Sequence, residues 1–250
     1  MIGVLIFLLI GELIGRIGLV DRSYLPPSST VLARAGGLVT DGGFLQDVGS
    51  TLAVWAVGLL IAILIAVPSG LVLGSLPFVN SAVRVLIEFL RPIPAVALIP
   101  LVILMIADQA RIEQTLAAYA ALWPILINTI YAVGDVDPVP QEMARSFGLG
   151  RLVILGRIAL PSVAPFVATG IRVASSIALI VTISTELIAG GGEHGIGIYI
   201  LNASADAGRA DVVFAAAGIA GLLGYLIDLG MRSLERRMFR WHFERLGSPA

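Results

Sequence analysis

The chain has 250 residues, of which 58% are hydrophobic and 13% are charged, and its formal net charge is −1. An ordinary globular domain carries about 25% charged residues, so this composition excludes a soluble protein, and the net charge argues against a nucleic-acid surface. The absence of cysteine excludes disulfides and thiolate-bound metal. All sixteen basic residues are arginine, so the lysine of a P-loop is missing and any ATP must be held by another chain. We predict an all-α integral membrane protein.

The N-terminal part of the chain predicts a first membrane helix. Met1–Gly11 is apolar, but a helix needs about twenty residues to cross the hydrocarbon core. We therefore expect the helix to continue towards Val20, with Glu12 and Arg16 paired one turn apart. A chain start assigned too late explains the short apolar run equally well.

Five further membrane segments bring the predicted number of spans to six. In order, they are Thr51–Leu76, Val83–Ala107, Thr115–Val133, Pro161–Ile188 and Val212–Leu229. Between them we predict a surface helix Ser28–Leu38 closed by Gly36 and Gly37, a charged turn Asp108–Glu113 and a Gly-rich outer loop Gly190–Asp211. Pro68 is expected to break the first of these segments. Pro92, Pro94 and Pro100 are expected to kink the second, which suits the wall of a pathway.

A long polar interval, the loop 135–161, separates two of these segments. Within it, a helical pattern begins at Glu142 and is expected to end at Gly148, since glycine is the usual residue just after a helix. Arg145, Arg151 and Arg157 make the interval basic, and basic loops usually face the cytoplasm. A short helix held there between two spans is well placed to contact a cytoplasmic partner.

The arginine distribution predicts the orientation of the chain. Nine arginines fall on the side of the loop 135–161 and five fall on the other side, which leaves Arg91 and Arg172 within membrane segments. By the positive-inside tendency, we expect this loop and the C-terminus in the cytoplasm. The basic, aromatic C-terminal tail is expected to anchor at the inner surface.

The same interval carries a family resemblance. Glu142, Ala144 and Gly148, followed after nine residues by Ile158–Pro161, resemble the E-A-A, G and I-x-L-P signature of binding-protein-dependent ABC transporter permeases. Met143 stands where the signature has its first alanine. The resemblance implies that a cytoplasmic ATPase contacts the segment Glu142, Met143, Ala144, Arg145, Ser146, Phe147 and Gly148. The alternative is a loop that only caps two helices.

Further motifs are similar to those of the nitrate, sulfonate and taurine branch of these permeases. They are LPPSS at Leu25–Ser29, FLRPIP at Phe89–Pro94, GIR at Gly170–Arg172 and TELI at Thr185–Ile188. The resemblance implies a type I importer in a bacterial inner membrane, with a single permease domain over residues 1–250 and a homodimer of six-helix subunits. It also implies two ATPase subunits that hold ATP and magnesium, and an extracytoplasmic substrate-binding protein. The chain itself is expected to need no cofactor and to catalyse no reaction.

Three charged residues are candidates for the substrate pathway. Arg91 is a candidate to attract an anion; alternatively, Glu88 neutralises one of Arg84 and Arg91 while the other snorkels to the inner surface. Arg172 lies among small residues deep in its helix, so a permanent carboxylate or a transient anionic substrate is expected to face it. Glu186 suits an outer gate or a contact with a delivery protein, or it snorkels to the interface.

The same charged residues are also compatible with two other functions. One is a secondary transporter or channel that works alone, with the same arginine and glutamate residues carrying a coupling ion. The other is a membrane scaffold without transport. Asn128 is expected to form an interhelical hydrogen bond, and His194 by itself makes no metal site.

Overall fold

The computed structural model describes residues 2–17, 21, 24–206 and 208–239, and every regular element in these ranges is helical. This confirms the all-α prediction. The α-helices are α1 (Ile2–Ile17), α2 (Ser28–Leu38), α3 (Gly42–Ser75), α4 (Pro77–Leu90), α5 (Ile99–Met105), α6 (Gln109–Gly134), α7 (Pro138–Ser146), α8 (Arg151–Ile154), α9 (Leu160–Ala189), α10 (Ile196–Ala205) and α11 (Ala210–Met238). A 3₁₀ turn, Ala95–Leu98, precedes α5, and a π turn, Leu155–Ala159, joins α8 to α9.

The described residues contain four helices that are long and apolar enough to cross a membrane. They are α3, α6, α9 with its π turn, and α11; the bent pair formed by α4 and the Ala95–Met105 segment makes a fifth span if counted as one. Helix α1 has 16 residues, or about 24 Å, which is less than the roughly 30 Å of a hydrocarbon core. Its predicted continuation to Val20 lies outside the described residues. The pairing of Glu12 with Arg16 is confirmed at 2.6 Å.

Close contacts between α3, α6 and α9 form the core, because glycines on these helices face neighbouring backbones. A Cβ atom on Gly70 would lie 2.6 Å from the Thr129 Cβ atom, and one on Gly58 would lie 2.8 Å from the Ala117 Cβ atom. Small residues at helix contacts allow the close approach that stabilises helix pairs in membranes. The buried alanines of this core are Ala62, Ala66, Ala117, Ala121, Ala174 and Ala178.

These contacts also give the helix directions. Because Gly58 meets Ala117 and Gly70 meets Thr129, α3 and α6 run parallel. The chain returns between them through the bent α4–α5 segment. Helices α3, α6 and α11 end where α7 lies, which we call the signature end, and α9 runs from there to the opposite end.

Two predicted boundaries are wrong because aspartates cap the helices earlier. Asp41 accepts a hydrogen bond from the Gly43 amide at 2.8 Å, so α3 begins at Gly42, and it continues through Pro68 without a break. Asp108 accepts from the Arg111 amide at 2.9 Å, so the predicted charged turn Asp108–Glu113 is the first turn and a half of α6. An aspartate that satisfies free amides at a helix start is a strong N-terminal signal.

Two connections are more ordered than the sequence predicts. The Gly-rich loop Gly190–Asp211 contains α10, whose apolar residues are buried against α9, α11 and α3. The bounds of α2 are confirmed, but no side chain caps it, Gly36 and Gly37 lie inside it, and its Arg34 pairs with Asp211 of α11 at 2.9 Å. Helix α2 therefore packs on the bundle.

The glycine contacts predict a strong dependence on side-chain size. Gly70→Ala forces α3 away from α6 and is expected to destabilise the protein by about 1–3 kcal/mol. Gly218→Ala is the matched control, since nothing lies within 4 Å of its added Cβ atom. The apparent melting temperature of the detergent-purified protein should fall for the first variant and stay the same or rise for the second; equal values contradict the close-packed core.

Candidate coupling helix and substrate pathway

Helix α7 forms the exposed signature segment. Asp137 caps it by accepting a hydrogen bond from the Val139 amide at 2.9 Å, and Pro138 occupies the first turn, where its missing N–H costs nothing. The helix therefore begins at Pro138, four residues before the predicted start at Glu142. The polar Pro-rich sequence before Glu142 is itself the start of the helix.

The C-terminus of α7 is closed as predicted. Gly148 has a φ angle of +75°, a left-handed conformation that glycine adopts without steric penalty. Its amide donates to the Arg145 carbonyl at 2.9 Å, and the Leu149 amide donates to the Ala144 carbonyl at 3.1 Å. These two bonds form a Schellman motif, which satisfies carbonyls that the helix leaves free.

The side chains of α7 divide into an inward and an outward set. Ala144 is buried, whereas Met143 is 57% exposed and Phe147 is 81% exposed. Met143 and Phe147 are four residues apart, so they lie on one face of the helix. Glu142, Arg145 and Ser146 are also exposed. The single residue that departs from the signature thus lies on the outward face, where it is free to contact a partner.

A four-residue link, residues 147–150, joins α7 to α8, and from α8 the helix continues through the π turn Leu155–Ala159 into α9. π turns interrupt regular helix geometry and are frequent at functional sites. Beneath α7 lies a cavity of about 540 Å³, whose wall includes Asp135, Asp137, Arg157, Pro161 and Phe166. This cavity leaves room for α7 to shift against the end of α9.

The break between α4 and α5 exposes Arg91. The chain bends there by 79°, because Pro92 and Pro94 lack the amides that a continuous helix requires. Arg84 pairs with Glu88 at 2.7 Å. Among the described residues, Arg91 makes no hydrogen bond or ion pair, and it borders two cavities of about 150 and 460 Å³.

The larger of these two cavities lies between the α4–α5 break, α6 and α9. Besides Arg91, its wall includes Tyr119, Trp123 and Asn128 of α6 and Val173 and Ile177 of α9. The Tyr119 hydroxyl donates to the Leu90 carbonyl at 2.8 Å, which holds α6 against the end of α4. Asn128 donates to the Pro124 carbonyl of its own helix at 2.8 Å, so the predicted interhelical hydrogen bond of Asn128 is wrong.

Arg172 faces permanent carboxylates on α11. Its Nε atom lies 3.2 Å from Glu235 Oε2, and its Nη1 atom lies 3.8 Å from Asp228 Oδ1. The Thr169 hydroxyl donates to Glu235 at 2.6 Å, and Arg232 pairs with Asp228 at 2.8 Å. The sequence allowed either a permanent carboxylate or a transient anionic substrate opposite Arg172. The structure places carboxylates there, near the signature end.

Glu186 is fully buried at the opposite end of α9. Its carboxylate accepts hydrogen bonds from the Thr51 hydroxyl and the Gly197 amide, both at 2.8 Å, and Thr51 accepts from the Ile196 amide at 2.9 Å. Snorkelling to the interface is therefore wrong for Glu186, because these donors hold the group inside the protein. The carboxylate joins α3, α9 and α10.

His194 lies near Glu186, at the end of the bundle opposite α7. His194 contacts Asp47 at 3.1 Å and Gln46 at 3.0 Å. Within the part of the chain that the structure describes, no three His, Asp or Glu side chains come together as a metal site.

Comparison with known proteins identifies the family. Residues 58–240 match the family described as binding-protein-dependent transport system inner membrane component. The chain belongs to this family. The permease is 28% identical over 236 residues to the taurine transport system permease protein TauC of Escherichia coli (strain K12), covering 92% of this chain and 85% of that one. It is 27% identical over 192 residues to the nitrate import permease protein NrtB of Leptolyngbya laminosa, covering 77% and 68%.

The fold of the permease is also found among solved structures. A chain of the MetNI methionine ABC transporter, in inward facing conformations, matches with a TM-score of 0.65 and 18% identity, covering 77% of this chain and 94% of that chain. This match supports the type I importer permease architecture. The permease is thus a multi-pass membrane component of a transport system.

The acidic partners of Arg172 were not predicted from the sequence. Asp228, Arg232 and Glu235 recur at i, i+4 and i+7 on α11, so they share one face of that helix. Because these charged residues lie within or beside an apolar span, this face of α11 is expected to pack against an opposite charge in the protein. They lie more than fifty residues from Arg172 in the sequence, so local spacing rules do not predict that they pair with it.

The contact between Arg172 and Glu235 predicts a thermodynamic coupling. Arg172→Gln is expected to destabilise the permease by about 1–3 kcal/mol because it leaves the Glu235 carboxylate without its cation, whereas Asp228 keeps Arg232. In the double variant with Glu235→Gln, the loss should be smaller than the sum of the single losses by about 1 kcal/mol. Melting temperatures of the four proteins in detergent measure this cycle. Additive losses contradict the ion pair. Arg209→Gln, at the exposed pair with Asp206, is a control expected to change little.

Proposed function

We propose that this permease is the membrane subunit of an ATP-driven importer for a small anionic solute. Helix α7 docks into a groove of a separate cytoplasmic ATPase, which holds the ATP and magnesium. The observation that supports this most directly is the outward face of α7, with Met143 and Phe147 exposed beside a buried Ala144. An exposed apolar pair on a short, firmly capped helix fits an apolar pocket of a partner protein.

The connection from α7 to α9 supplies the coupling. When two ATPase subunits close on ATP, the docked α7 moves with them. The link 147–150, α8 and the π turn carry this movement to α9, whose other end is held to α3 and α10 by Glu186. Arg172 keeps α9 and α11 together through Glu235. The helix pair therefore tilts as a unit, and the pathway changes from inward-open to outward-open.

The permease works as a homodimer around a central pathway. Arg84 and Glu88 lie on α4, with Arg91 just after its last residue, beside exposed Val85 and Phe89. Charged side chains within a span face protein or water, since hydrocarbon does not hydrate them. We therefore place the charged face of α4 towards the second copy and the water-filled pathway, and the apolar face towards lipid.

The solute class rests on the charge of this pathway and on the relatives. One relative is named for taurine and another for nitrate. Arg91 offers a positive charge without a partner among the described residues, at the break in the helix that borders the cavity. A binding protein on the outer side delivers the solute, and α10 and the Gly190–Gly195 turn form the outer surface that receives it.

A matched pair of variants tests coupling. Gly148→Pro removes the amide that closes α7 and replaces a φ of +75° with the fixed negative value of proline. Co-purification of the ATPase and substrate-stimulated ATP hydrolysis should both be lost, while the permease stays folded. Gly148→Asn should retain both, because asparagine tolerates the left-handed conformation. Full coupling in the proline variant contradicts the docking role of α7; Glu142→Arg should weaken docking as well.

Orientation is tested by labelling, since the chain has no cysteine of its own. Ser204 at the opposite end and Ser146 on α7 are both exposed. In intact cells, a membrane-impermeant thiol reagent should label Ser204→Cys and leave Ser146→Cys unlabelled. In inverted vesicles the pattern should reverse. Labelling of Ser146→Cys from outside places α7 away from the cytoplasm.

A further inference from the structure

Helix α11 presents an exposed apolar stripe that ends in two arginines. The stripe consists of Leu222, Tyr225, Leu229, Arg232 and Arg236, which recur at alternating intervals of three and four residues. Residues with this spacing lie on one face of a helix. All five are exposed in the described structure. This face of α11 therefore joins an apolar surface to a positively charged end.

The position of the two arginines along α11 matches the depth of lipid head groups. The helix has 29 residues, or about 43 Å, whereas a hydrocarbon core is about 30 Å thick. Arg232 lies about 33 Å along the helix from its first residue, Ala210. A helix that enters the core at Ala210 leaves it near Arg232. Arg232 and Arg236 thus lie at the membrane surface of the signature end.

A cavity of about 270 Å³ lies beside these arginines, between α9 and α11. Phe166 and Thr169 of α9 and Arg232 and Arg236 of α11 contribute to its wall. An arginine that only snorkels extends its head into water along a lipid-facing surface. Here the two guanidinium groups instead border a recess that also contains an aromatic ring.

The carboxylates near this cavity already have partners. Glu235 accepts a hydrogen bond from a threonine hydroxyl of α9 at 2.6 Å and lies 3.2 Å from Arg172, and Asp228 pairs with Arg232 at 2.8 Å. A guanidinium group has five N–H donors, so Arg232 keeps donors for another ligand. Arg236 makes no hydrogen bond or ion pair with a described residue. Three arginines thus meet two carboxylates, which leaves one positive charge at the cavity.

We propose that this face of α11 binds an anionic phospholipid. Arg232 and Arg236 donate to its phosphate at the cavity between α9 and α11. An acyl chain lies along Leu222, Tyr225 and Leu229. Basic pockets between helices at the cytoplasmic surface are suited to anionic head groups. The site goes beyond the proposed transport function, since neither the solute nor the ATPase contributes to it.

A second copy of the chain fits this stripe less well than a lipid. Copies of a membrane protein share one orientation, so a two-fold contact between their α11 helices would place equivalent residues at the same depth. Arg232 and Arg236 of both copies would then face one another, and like charges repel. The phosphate of a lipid compensates the same charge.

Native mass spectrometry of the delipidated full-length permease in a non-ionic detergent tests the site. Titration with phosphatidylglycerol and with phosphatidylcholine of the same acyl chains gives the dissociation constant of the first bound lipid. A basic residue near the membrane surface strengthens binding of an anionic lipid about fivefold. Phosphatidylglycerol should therefore bind at least about fivefold more tightly than phosphatidylcholine. Arg236→Gln should weaken phosphatidylglycerol binding about threefold to tenfold and leave phosphatidylcholine binding unchanged.

Arg237→Gln is the matched control. It removes the same charge from the next residue, which lies on another face of α11 and does not border the cavity. Its affinity for phosphatidylglycerol should match the wild type. Equal affinity of the wild type for both lipids overturns the site, as does wild-type affinity in a folded Arg236→Gln variant or an equal loss in Arg237→Gln.

Two further measurements distinguish the lipid from other occupants. Inorganic phosphate should not displace phosphatidylglycerol, because the acyl chain contributes to binding; displacement by phosphate alone assigns the arginines to a free anion and overturns the lipid site. Leu229→Cys, in a chain with no other cysteine, should form no disulfide-linked dimer when native membranes are oxidised. A linked dimer assigns the stripe to a second copy and also overturns the lipid site. None of these outcomes changes the proposed importer function, which depends on α7 and the ATPase.

Discussion

Hydrocarbon cannot hydrate a charge or a free hydrogen-bond donor, so each polar group in a membrane span needs a partner in the protein or in a watery path. This constraint sorts the polar groups of the permease. Glu186 is satisfied by a hydroxyl and an amide, and Arg172 lies between two carboxylates. The Trp123 nitrogen and the Arg172 Nε atom, by contrast, make no hydrogen bond with a described residue. The paired groups hold helices together, and Arg91, which has no partner among the described residues, borders the cavities at the break between α4 and α5.

The permease has a closely packed part, formed by α3, α6 and α9, and two helix breaks outside it. Glycine and alanine contacts bring α3, α6 and α9 close together, which leaves little space for internal rearrangement. The helix breaks occur outside this contact, at the 79° bend between α4 and α5 and at the π turn before α9. A cavity of about 540 Å³ lies beside that π turn. Movement that begins at α7 is therefore expected to tilt the packed helices together and to alter the bend that carries Arg91.

Local sequence patterns predicted much of this architecture. Apolar length located the main spans, Gly148 marked the end of α7, and the prolines around Arg91 indicated the bend. Boundaries failed where a single side chain decided them, as when Asp108 capped α6 and the expected charged turn became the start of that helix. The partners of Arg172 and Glu186 were not predictable from spacing, because they come from helices distant in the chain. Glu186 is held in the interior by the Thr51 hydroxyl and the Gly197 backbone amide. Nothing in the sequence distinguishes these two donors from other threonines and glycines.

We expect transport through this permease to require an ATPase partner. The most direct measurement compares solute uptake into proteoliposomes that contain the permease alone with uptake into vesicles that also contain its ATPase, internal MgATP and the external binding protein. We expect concentrative uptake only in the complete system, and we expect it to be lost when a non-hydrolysable nucleotide replaces ATP. Concentrative uptake by the permease alone, driven by a proton or sodium gradient, would contradict it and would assign Arg91 to a secondary transporter.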